Sequence, residues 1–333
     1  MKLFNTKILG TGSFLPDKIL TNDDIAKRVD TNHQWIVERT GIHTRRISDV
    51  SKDETPSGMA KIAAMKAIEA ANITPNDIDF IIVSTTMPDM MFPNTGCLLQ
   101  HKLGITNNCG AIDINAACTG WLYGVPMADA LIKTGVYKNI LVVGSEMTSS
   151  FNNWDDRNTC ILFGDGCGAV VLGRASENED SQIYSSTLAA DSSKKDHLTL
   201  PAGGAANRTT KETLEKNEQF ITMNGQEVFK SAVKTMASLS EKVIKDADKS
   251  MADVDWFIPH QANLRIIEAV GNRFGFPQEK VIINVDKYAN TSSATIPIAL
   301  DEAIREGKIK RGDTILMAAF GAGLTAGALF LKY

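Results

Sequence analysis

Apolar segments of strand length alternate along the chain with longer segments whose apolar positions recur at helical spacing. The clearest strands are predicted at 77–83 and 139–143, and the clearest helices at 57–72 and 227–246. This alternation is typical of α/β proteins. Charges, Gly or Pro interrupt every apolar run well before ~18 residues, which argues against a membrane-spanning helix.

Parts of this pattern occur twice. Strand 77–83 follows its helix just as a second predicted strand, 253–259, follows helix 227–246 at an offset of 176 residues. Other short similarities recur in the same order at nearly the same offset. The sequence therefore predicts two duplicated halves, residues 1–175 and 176–333. Chance similarity between two α/β segments is the alternative.

The repeat aligns Cys118 with Asn290. Both are predicted where a strand, 111–115 or 281–285, leads into a helix, and His260 directly follows a strand of the second half. Ligands of α/β sheets bind outside the carboxyl ends of the strands. If the halves pack face to face about a pseudo-twofold axis, the three side chains are expected to meet there.

Composition narrows the function classes. The chain has 333 residues, a net charge of -4 and a pI near 5.8, which argue against a nucleic-acid binder. The start of the chain reads as a short strand rather than a secretory leader, so a cytoplasmic protein that does not bind membranes is expected. Five cysteines without metal-ligand spacing predict neither disulfides nor a structural metal.

Cys118 is the cysteine whose surroundings favour reactivity. The small residues Ala116, Ala117 and Gly120 allow a tight strand-to-helix turn around it. A thiol at a helix N-terminus is stabilised as thiolate, which predicts a lowered pKa. The alternative is a buried structural thiol, and the other four cysteines fit that description better.

Two further segments add to this candidate site. Segment 256–265 brings His260 to the end of an apolar strand, and small polar residues surround Asn290 within 288–294. Each segment alone is typical of a structural histidine or a helix cap. The ordered set of Cys, His and Asn is more specific to catalysis.

Residues 191–218 do not follow the alternation of predicted strands and helices. This segment is polar, rich in Gly, Lys, Thr and Asn, and too long for an ordinary connection. Two interpretations of this segment stay open, a flexible flap over a site and a tolerated surface insertion.

Several motifs resemble the signatures of the 3-oxoacyl-(acyl carrier protein) synthase III family. In chain order they are 35–42, 117–120, 156–157, 163–166, 259–265, 290–292 and 320–325. The matches extend from about residue 8 to residue 329. The resemblance implies an α/β thiolase-like fold, in which two duplicated halves form five layers (α-β-α-β-α), and usually a homodimer.

The resemblance also implies a reaction that begins fatty acid biosynthesis. Cys118 would take the acyl group of an acyl-CoA primer, with acetyl-CoA expected, in an oxyanion hole made by the amides of Cys118 and Ala322. His260 and Asn290 would then stabilise the enolate formed when malonyl-acyl carrier protein loses carbon dioxide. Acyl-CoA is a substrate here, and neither a cofactor nor a metal is implied.

Binding positions carry over in the same way. The residues implied for coenzyme A are Trp35, Arg39, Thr40, Arg157 and Asn263. Those implied for acyl carrier protein are Gln261, Ala262, Asn263, Leu264 and Arg265. Phe92 resembles a residue that reaches across the dimer to the partner's acyl pocket. Ala326 and Gln226 depart from the family pattern and leave the pocket shape open.

Other functions share parts of this pattern. Within the superfamily these are a thiolase, a hydroxymethylglutaryl-CoA synthase, and enzymes that make alkylquinolones or long-chain ketones. A thiolase needs a second cysteine in the turn 320–323, where this chain has none. A hydrolytic Cys–His–Asn enzyme and a non-catalytic carrier-binding scaffold are the alternatives from other classes.

Overall fold

Two stacked β-sheets organise residues 3–333, the part of the chain that the computed structural model describes. The strands are β1 (Thr6–Phe14), β2 (Ile19–Thr21), β3 (Thr44–Arg46), β4 (Phe80–Ser84), β5 (Gly110–Ile114), β6 (Asn139–Met147), β7 (Asp165–Arg174), β8 (Gln182–Ala190), β9 (Leu198–Thr199), β10 (Thr222–Met223), β11 (Trp256–Pro259), β12 (Thr314–Gly321) and β13 (Thr325–Lys332). The helices are α1 (Asn22–Ala26), α2 (His33–Thr40), α3 (Pro56–Ala70), α4 (Thr95–Lys102), α5 (Gly120–Lys133), α6 (Lys211–Glu215), α7 (Gly225–Asp246), α8 (Leu264–Arg273), α9 (Val285–Tyr288) and α10 (Thr295–Arg305).

The two sheets repeat one topology. The first has the strand order β1-β7-β6-β4-β5, and the second has the order β8-β13-β12-β11. In the first sheet β6, β4 and β5 pair in parallel, whereas β1-β7 and β7-β6 pair antiparallel. In the second sheet β12 and β11 pair in parallel, whereas β8-β13 and β13-β12 pair antiparallel. The predicted duplication is therefore confirmed. The chain changes sheet between Arg174 and Gln182, and the bounds 1–175 and 176–333 stay a prediction.

The helices add three layers to the two sheets. Helix α3 covers the outer face of the first sheet, α5 and α10 lie between the sheets, and α7 and α8 cover the second sheet. This is the expected five-layer α-β-α-β-α arrangement. None of the helices described within 3–333 is long and apolar enough to cross a membrane.

Glycines of β1 allow α3 to lie against its backbone. A Cβ on Gly10 would come within 2.3 Å of the Ala67 carbonyl oxygen, and one on Gly12 within 2.2 Å of the Ala63 carbonyl oxygen. The alanine-rich face of α3 is buried there. Small residues on both elements therefore set the spacing of the outer layer.

Both strands at the centre of the repeat, β4 and β11, begin three residues later than predicted. A 3-10 turn precedes each of them, Pro75–Asp77 before β4 and Met251–Asp253 before β11. A capping box closes each turn, so the Asp at its end bonds backwards and does not enter the strand.

The predicted strand at 281–285 is wrong. Val281 makes only an isolated parallel bridge to β11. The Gln261 side chain takes the place of a strand partner, because its Nε2 donates to the Ile282 carbonyl and its Oε1 accepts from the Asn284 amide. Asn290 consequently follows the short helix α9 instead of a strand.

Candidate active site

Cys118, His260 and Asn290 line one cavity of about 280 Å³ between the two halves. Its other walls are mostly apolar and include Phe163, Phe229 and Phe320. The three side chains that the sequence repeat predicted to meet are therefore brought together. We call this space the reaction cavity.

Cys118 lies in a 3-10 turn, Ala117–Thr119, immediately before α5. Ala117 has a φ of 48°, a strained conformation for a residue with a side chain. A Cβ on Gly120 would lie 1.9 Å from the Ser84 hydroxyl oxygen. Small residues are thus needed to fold this turn against the end of β4.

Burial raises the pKa of the Cys118 thiol to about 12. A side-chain hydrogen bond with Ser292 acts in the opposite direction, the Glu146 carboxylate raises the pKa further, and a hydrogen bond with Asn290 lowers it. The predicted lowering of this pKa is therefore wrong. Loss of hydration of the thiolate outweighs the stabilisation expected from the helix terminus.

His260 follows β11 directly, and its amide donates to the Ala318 carbonyl of β12. The side chain is 4% exposed, and its Nδ1 lies 2.6 Å from Oγ1 of Thr295 at the start of α10. Burial lowers the pKa of His260 to about 3. The imidazole is therefore neutral near pH 7.

Asn290 is held by backbone and side-chain bonds. Its amide donates to the Leu162 carbonyl, and its carbonyl accepts from the Gly164 amide. The side-chain Oδ1 accepts from the Ser292 amide at 2.8 Å. Because Oδ1 is engaged, Nδ2 is the group that Asn290 can offer to a ligand.

The turn between β12 and β13 packs directly on the Cys118 turn. A Cβ on Gly321 would lie 2.9 Å from the Cys118 amide nitrogen. The next residue, Ala322, lines the reaction cavity, and Thr325 in β13 bonds the hydroxyl of Thr119. Main-chain groups from both halves thus lie beside the thiol.

A second cavity, of about 670 Å³, adjoins the first. Arg39, Thr40 and Asn263 line it, and Asn263 Nδ2 donates to the Arg39 carbonyl. Beside it, the guanidinium carbons of Arg157 and Arg39 lie 4.9 Å and 5.3 Å from the centre of the Trp35 ring. The five residues implied for coenzyme A therefore lie in one neighbourhood.

Comparisons with known proteins decide the family. Residues 112–192 match the family described as 3-oxoacyl-[acyl-carrier-protein (ACP)] synthase III, and residues 244–333 match its C-terminal family. The chain belongs to the 3-oxoacyl-[acyl-carrier-protein] synthase III family. It is a condensing acyltransferase of the type that initiates fatty acid synthesis.

Individual relatives agree with this over the full length. Beta-ketoacyl-[acyl-carrier-protein] synthase III of Caldanaerobacter subterraneus subsp. tengcongensis is 50% identical over 98% of this chain and 97% of that protein. The enzyme of Natranaerobius thermophilus is 49% identical over 99% of both chains. The crystal structure of 3-oxoacyl-[acyl-carrier-protein] synthase III from Aquifex aeolicus VF5 superimposes with a TM-score of 0.90 at 45% identity, covering 98% of this chain and 100% of that one.

Segment 261–265, predicted to bind the acyl carrier protein, is only partly accessible. Arg265 is exposed, and Ala262 and Leu264 are half-buried. Gln261 is 1% exposed, and its side-chain amide bonds the 282–284 backbone, which does not favour direct carrier contact, so that role stays a prediction. Leu264 packs so closely on Gly41 that a Cβ there would lie 2.4 Å from the Leu264 Cβ.

Phe92 is 86% exposed, and Met91 beside it is 83% exposed. Within this chain Phe92 lies outside the lining of the reaction cavity. Neither Ala326, which is buried in β13, nor the exposed Gln226 lines that cavity among the described residues.

Segment 191–218 contributes to the site, which favours its interpretation as a cover. It contains a 3-10 turn (Ser192–His197), β9 and α6, and β9 pairs with β10. Leu198 and Leu200 line the reaction cavity. The segment thus forms a wall of the cavity as well as a surface loop.

Sequence reasoning missed most of the apolar lining and several polar supports. Val228, Ala232 and Met236 form one stripe of α7 at a spacing of four residues, and all three line the cavity. That stripe is visible in the sequence but is also typical of an ordinary buried helix face. Residues 3–333 contain no cluster of three or more His, Cys, Asp or Glu side chains that could hold a metal.

Proposed function

We propose that this enzyme transfers the acyl group of an acyl-CoA to Cys118 and condenses it with malonyl-acyl carrier protein, with acetyl-CoA as the expected primer. The observation that carries the proposal is the meeting of Cys118, a neutral His260 and Asn290 in one apolar cavity.

In the first half-reaction, Cys118 Sγ forms a bond to the thioester carbonyl carbon and the bond from that carbon to the CoA sulfur breaks. The thiol proton leaves Cys118 and the departing CoA sulfur ends protonated. The amides of Cys118 and Ala322 would bind the transient oxyanion. The close approach of the Gly321 turn to the Cys118 amide supports this role.

In the second half-reaction, the malonyl thioester loses carbon dioxide and its electrons form an enolate. His260 Nε2 and Asn290 Nδ2 would donate hydrogen bonds to the enolate oxygen. Two such donors in a site shielded from water could each contribute about 3 kcal/mol. The enolate carbon then attacks the acyl carbonyl carbon, and Cys118 leaves as thiolate and is reprotonated.

The neighbouring groups suit this reaction. The bond between His260 Nδ1 and the Thr295 hydroxyl is compatible with the tautomer that carries its proton on Nε2, in which the hydroxyl donates to Nδ1. The pKa of His260, lowered by burial to about 3, keeps the ring a neutral donor. Asn290 Oδ1 already accepts a bond, which supports Nδ2 as its ligand-facing group.

Substrate binding would follow the same geometry. Trp35 with Arg157 would hold the adenine of coenzyme A, Arg39 and Thr40 its phosphates, and Asn263 the pantetheine arm. Arg265 with Leu264 and Ala262 would contact the carrier protein at the mouth of the cavity. We also propose a cytoplasmic homodimer in which the exposed Phe92 enters the partner's acyl pocket.

The test separates the two half-reactions. In Cys118→Ser, mass spectrometry after incubation with acetyl-CoA should detect no acyl-enzyme, while Cys97→Ser, at an exposed cysteine, should acylate normally. In His260→Ala and Asn290→Ala, acylation should persist and carbon dioxide release from malonyl-carrier protein should fall. An adduct that survives in Cys118→Ser would overturn the proposal. Thioester hydrolysis without malonyl-dependent carbon dioxide release would favour a hydrolase.

A further inference from the structure

Glu146 is a buried carboxylate beside the reaction cavity that the proposed mechanism leaves unused. It lies near the end of β6 and is 0% exposed. None of the ion pairs found within 3–333 includes it. A buried carboxylate is costly unless other groups compensate it, so its contacts need an explanation.

The carboxylate joins the two halves by accepting hydrogen bonds. Oε1 accepts from the hydroxyls of Ser293 at 2.7 Å and Ser292 at 3.1 Å, and from the Ser293 amide at 3.4 Å. Oε2 accepts from the amide and hydroxyl of Thr86 at 3.0 Å and 2.8 Å. All five partners are donors, and Thr86 and Ser292 also line the reaction cavity.

Ser292 connects the carboxylate to Asn290 through hydrogen bonds. The Ser292 amide donates to Asn290 Oδ1 at 2.8 Å, and Ser292 has a φ of 51°. Such a strained residue persists only where its surroundings hold it. The hydroxyl of Ser292 is held by Glu146, so the orientation of the Asn290 amide depends on this carboxylate.

The negative charge itself does not explain the residue. Burial raises the pKa of Glu146, while the bonds from Ser293, Thr86 and Ser292 lower it. When ionised, the carboxylate opposes ionisation of Cys118 and of the buried Cys167, and it would also oppose an enolate in the same cavity. His260, the other titratable group lining this space, is neutral. The capacity to accept several hydrogen bonds without donating one is therefore the property that the site uses.

We propose that Glu146 is a positioning residue for malonyl activation, acting through Ser292 and Ser293 to aim the Asn290 amide at the thioester oxygen. This inference rests on the proposed roles of Cys118 and Asn290. Glutamine in its place would direct an NH₂ group at donors on one side, and aspartate would be too short to reach both halves.

The experiment measures both half-reactions in Glu146→Gln and Glu146→Asp. For each variant we expect acylation by acetyl-CoA within about threefold of the parent enzyme. Carbon dioxide release should fall on the order of tenfold to a hundredfold, less than for deletion of a donor. Asp301→Asn is the control, because Asp301 is also buried, and among the described residues its carboxylate bonds Thr11, Ser13 and Arg305, all away from the reaction cavity.

The pH profile of Cys118 alkylation by iodoacetamide separates charge from position. Removing the carboxylate should move the profile to lower pH in Glu146→Gln. Glu146→Asp keeps the charge, so its profile should move less than that of Glu146→Gln while decarboxylation is still lost. If Glu146→Gln does not fold, Glu146→Asp alone decides. Equal loss of both half-reactions, or unchanged carbon dioxide release, would overturn this inference. Absence of malonyl decarboxylation in the parent enzyme would instead overturn the proposed function.

Discussion

Thr295→Val removes the hydroxyl that contacts His260 while keeping the shape of the side chain. In the parent enzyme, Thr295 Oγ1 lies 2.6 Å from His260 Nδ1, and both residues are buried. The variant leaves Nδ1 in the protein interior without that partner. In the proposed mechanism the Thr295 hydroxyl donates to Nδ1, so its loss removes the bond that favours the tautomer with its proton on Nε2.

The structure sets bounds on the effect. A hydrogen bond worth about 1 kcal/mol changes the tautomer ratio about fivefold, whereas complete loss of a donor to the enolate costs about a hundredfold. A fivefold change in that ratio lowers the population of the active tautomer by at most about fivefold, so carbon dioxide release should fall measurably but by no more than about fivefold. Acylation of Cys118 should change less than about twofold, because Thr295 contacts His260 and not the thiol.

The assay compares carbon dioxide release from malonyl-carrier protein with acyl-enzyme formation followed by mass spectrometry. Thr295→Ser keeps the hydroxyl and should retain the parent rates. The assigned role of Thr295 is refuted if the valine variant decarboxylates at the parent rate. Equal loss of both half-reactions would refute it as well, because that result would indicate general distortion.

Two further predictions concern stability. The pKa of His260 is about 3 in the folded protein against an ordinary value of 6.5, so between these values the unfolded chain binds the extra proton and stability should fall as the pH is lowered. In urea denaturation from pH 6.5 to pH 4, the free energies of unfolding of the parent and of His260→Asn should therefore converge. A constant difference between the two over this range would contradict the argument. Gly12→Ala should lower the free energy of unfolding by about 1–3 kcal/mol, because its Cβ would meet the α3 backbone. Gly204→Ala, where no atom lies within 4 Å of the added Cβ, is the control, and an unchanged denaturation midpoint in Gly12→Ala would contradict the packing argument.

The duplicated pattern was enough to predict an α/β protein of two similar halves and the meeting of three side chains, whereas the five-layer thiolase-like arrangement was implied by the family resemblance. Cys118 and Asn290 could be paired because their sequence neighbours recur at one offset, and His260 because it directly follows an apolar strand. These inferences need only the order of the elements. Order along the chain is a property that a sequence displays directly.

The pattern of apolar positions could not predict that a side chain would replace a backbone hydrogen-bond partner. Residues 281–285 are apolar enough for a strand, but the Gln261 amide occupies their hydrogen-bonding edge. The pKa of Cys118 was predicted wrongly for a related reason. The local turn suggests a stabilised thiolate, whereas burial depends on the distant residues that enclose the cavity.

The repeat also explains the position of Glu146 near the end of β6. Ile140 pairs with Phe80 in the first sheet as Ile315 pairs with Trp256 in the second, so Glu146 and Gly321, six residues further along their strands, are equivalent positions.

Each of these equivalent residues contacts the loop of the opposite half that carries a proposed catalytic residue, Cys118 or Asn290. Gly321 packs on the Cys118 turn, where a side chain would collide with the backbone. Glu146 bonds the loop after Asn290, where a long acceptor is needed to reach two serines. The pseudo-twofold arrangement thus brings each strand end to the other half's loop, and the difference between glycine and glutamate follows from what each loop does. The turn of the proposed nucleophile Cys118 needs the backbone of the other half to approach closely. The loop of Asn290, whose amide is proposed to point at the substrate, needs side-chain hydrogen bonds to hold it.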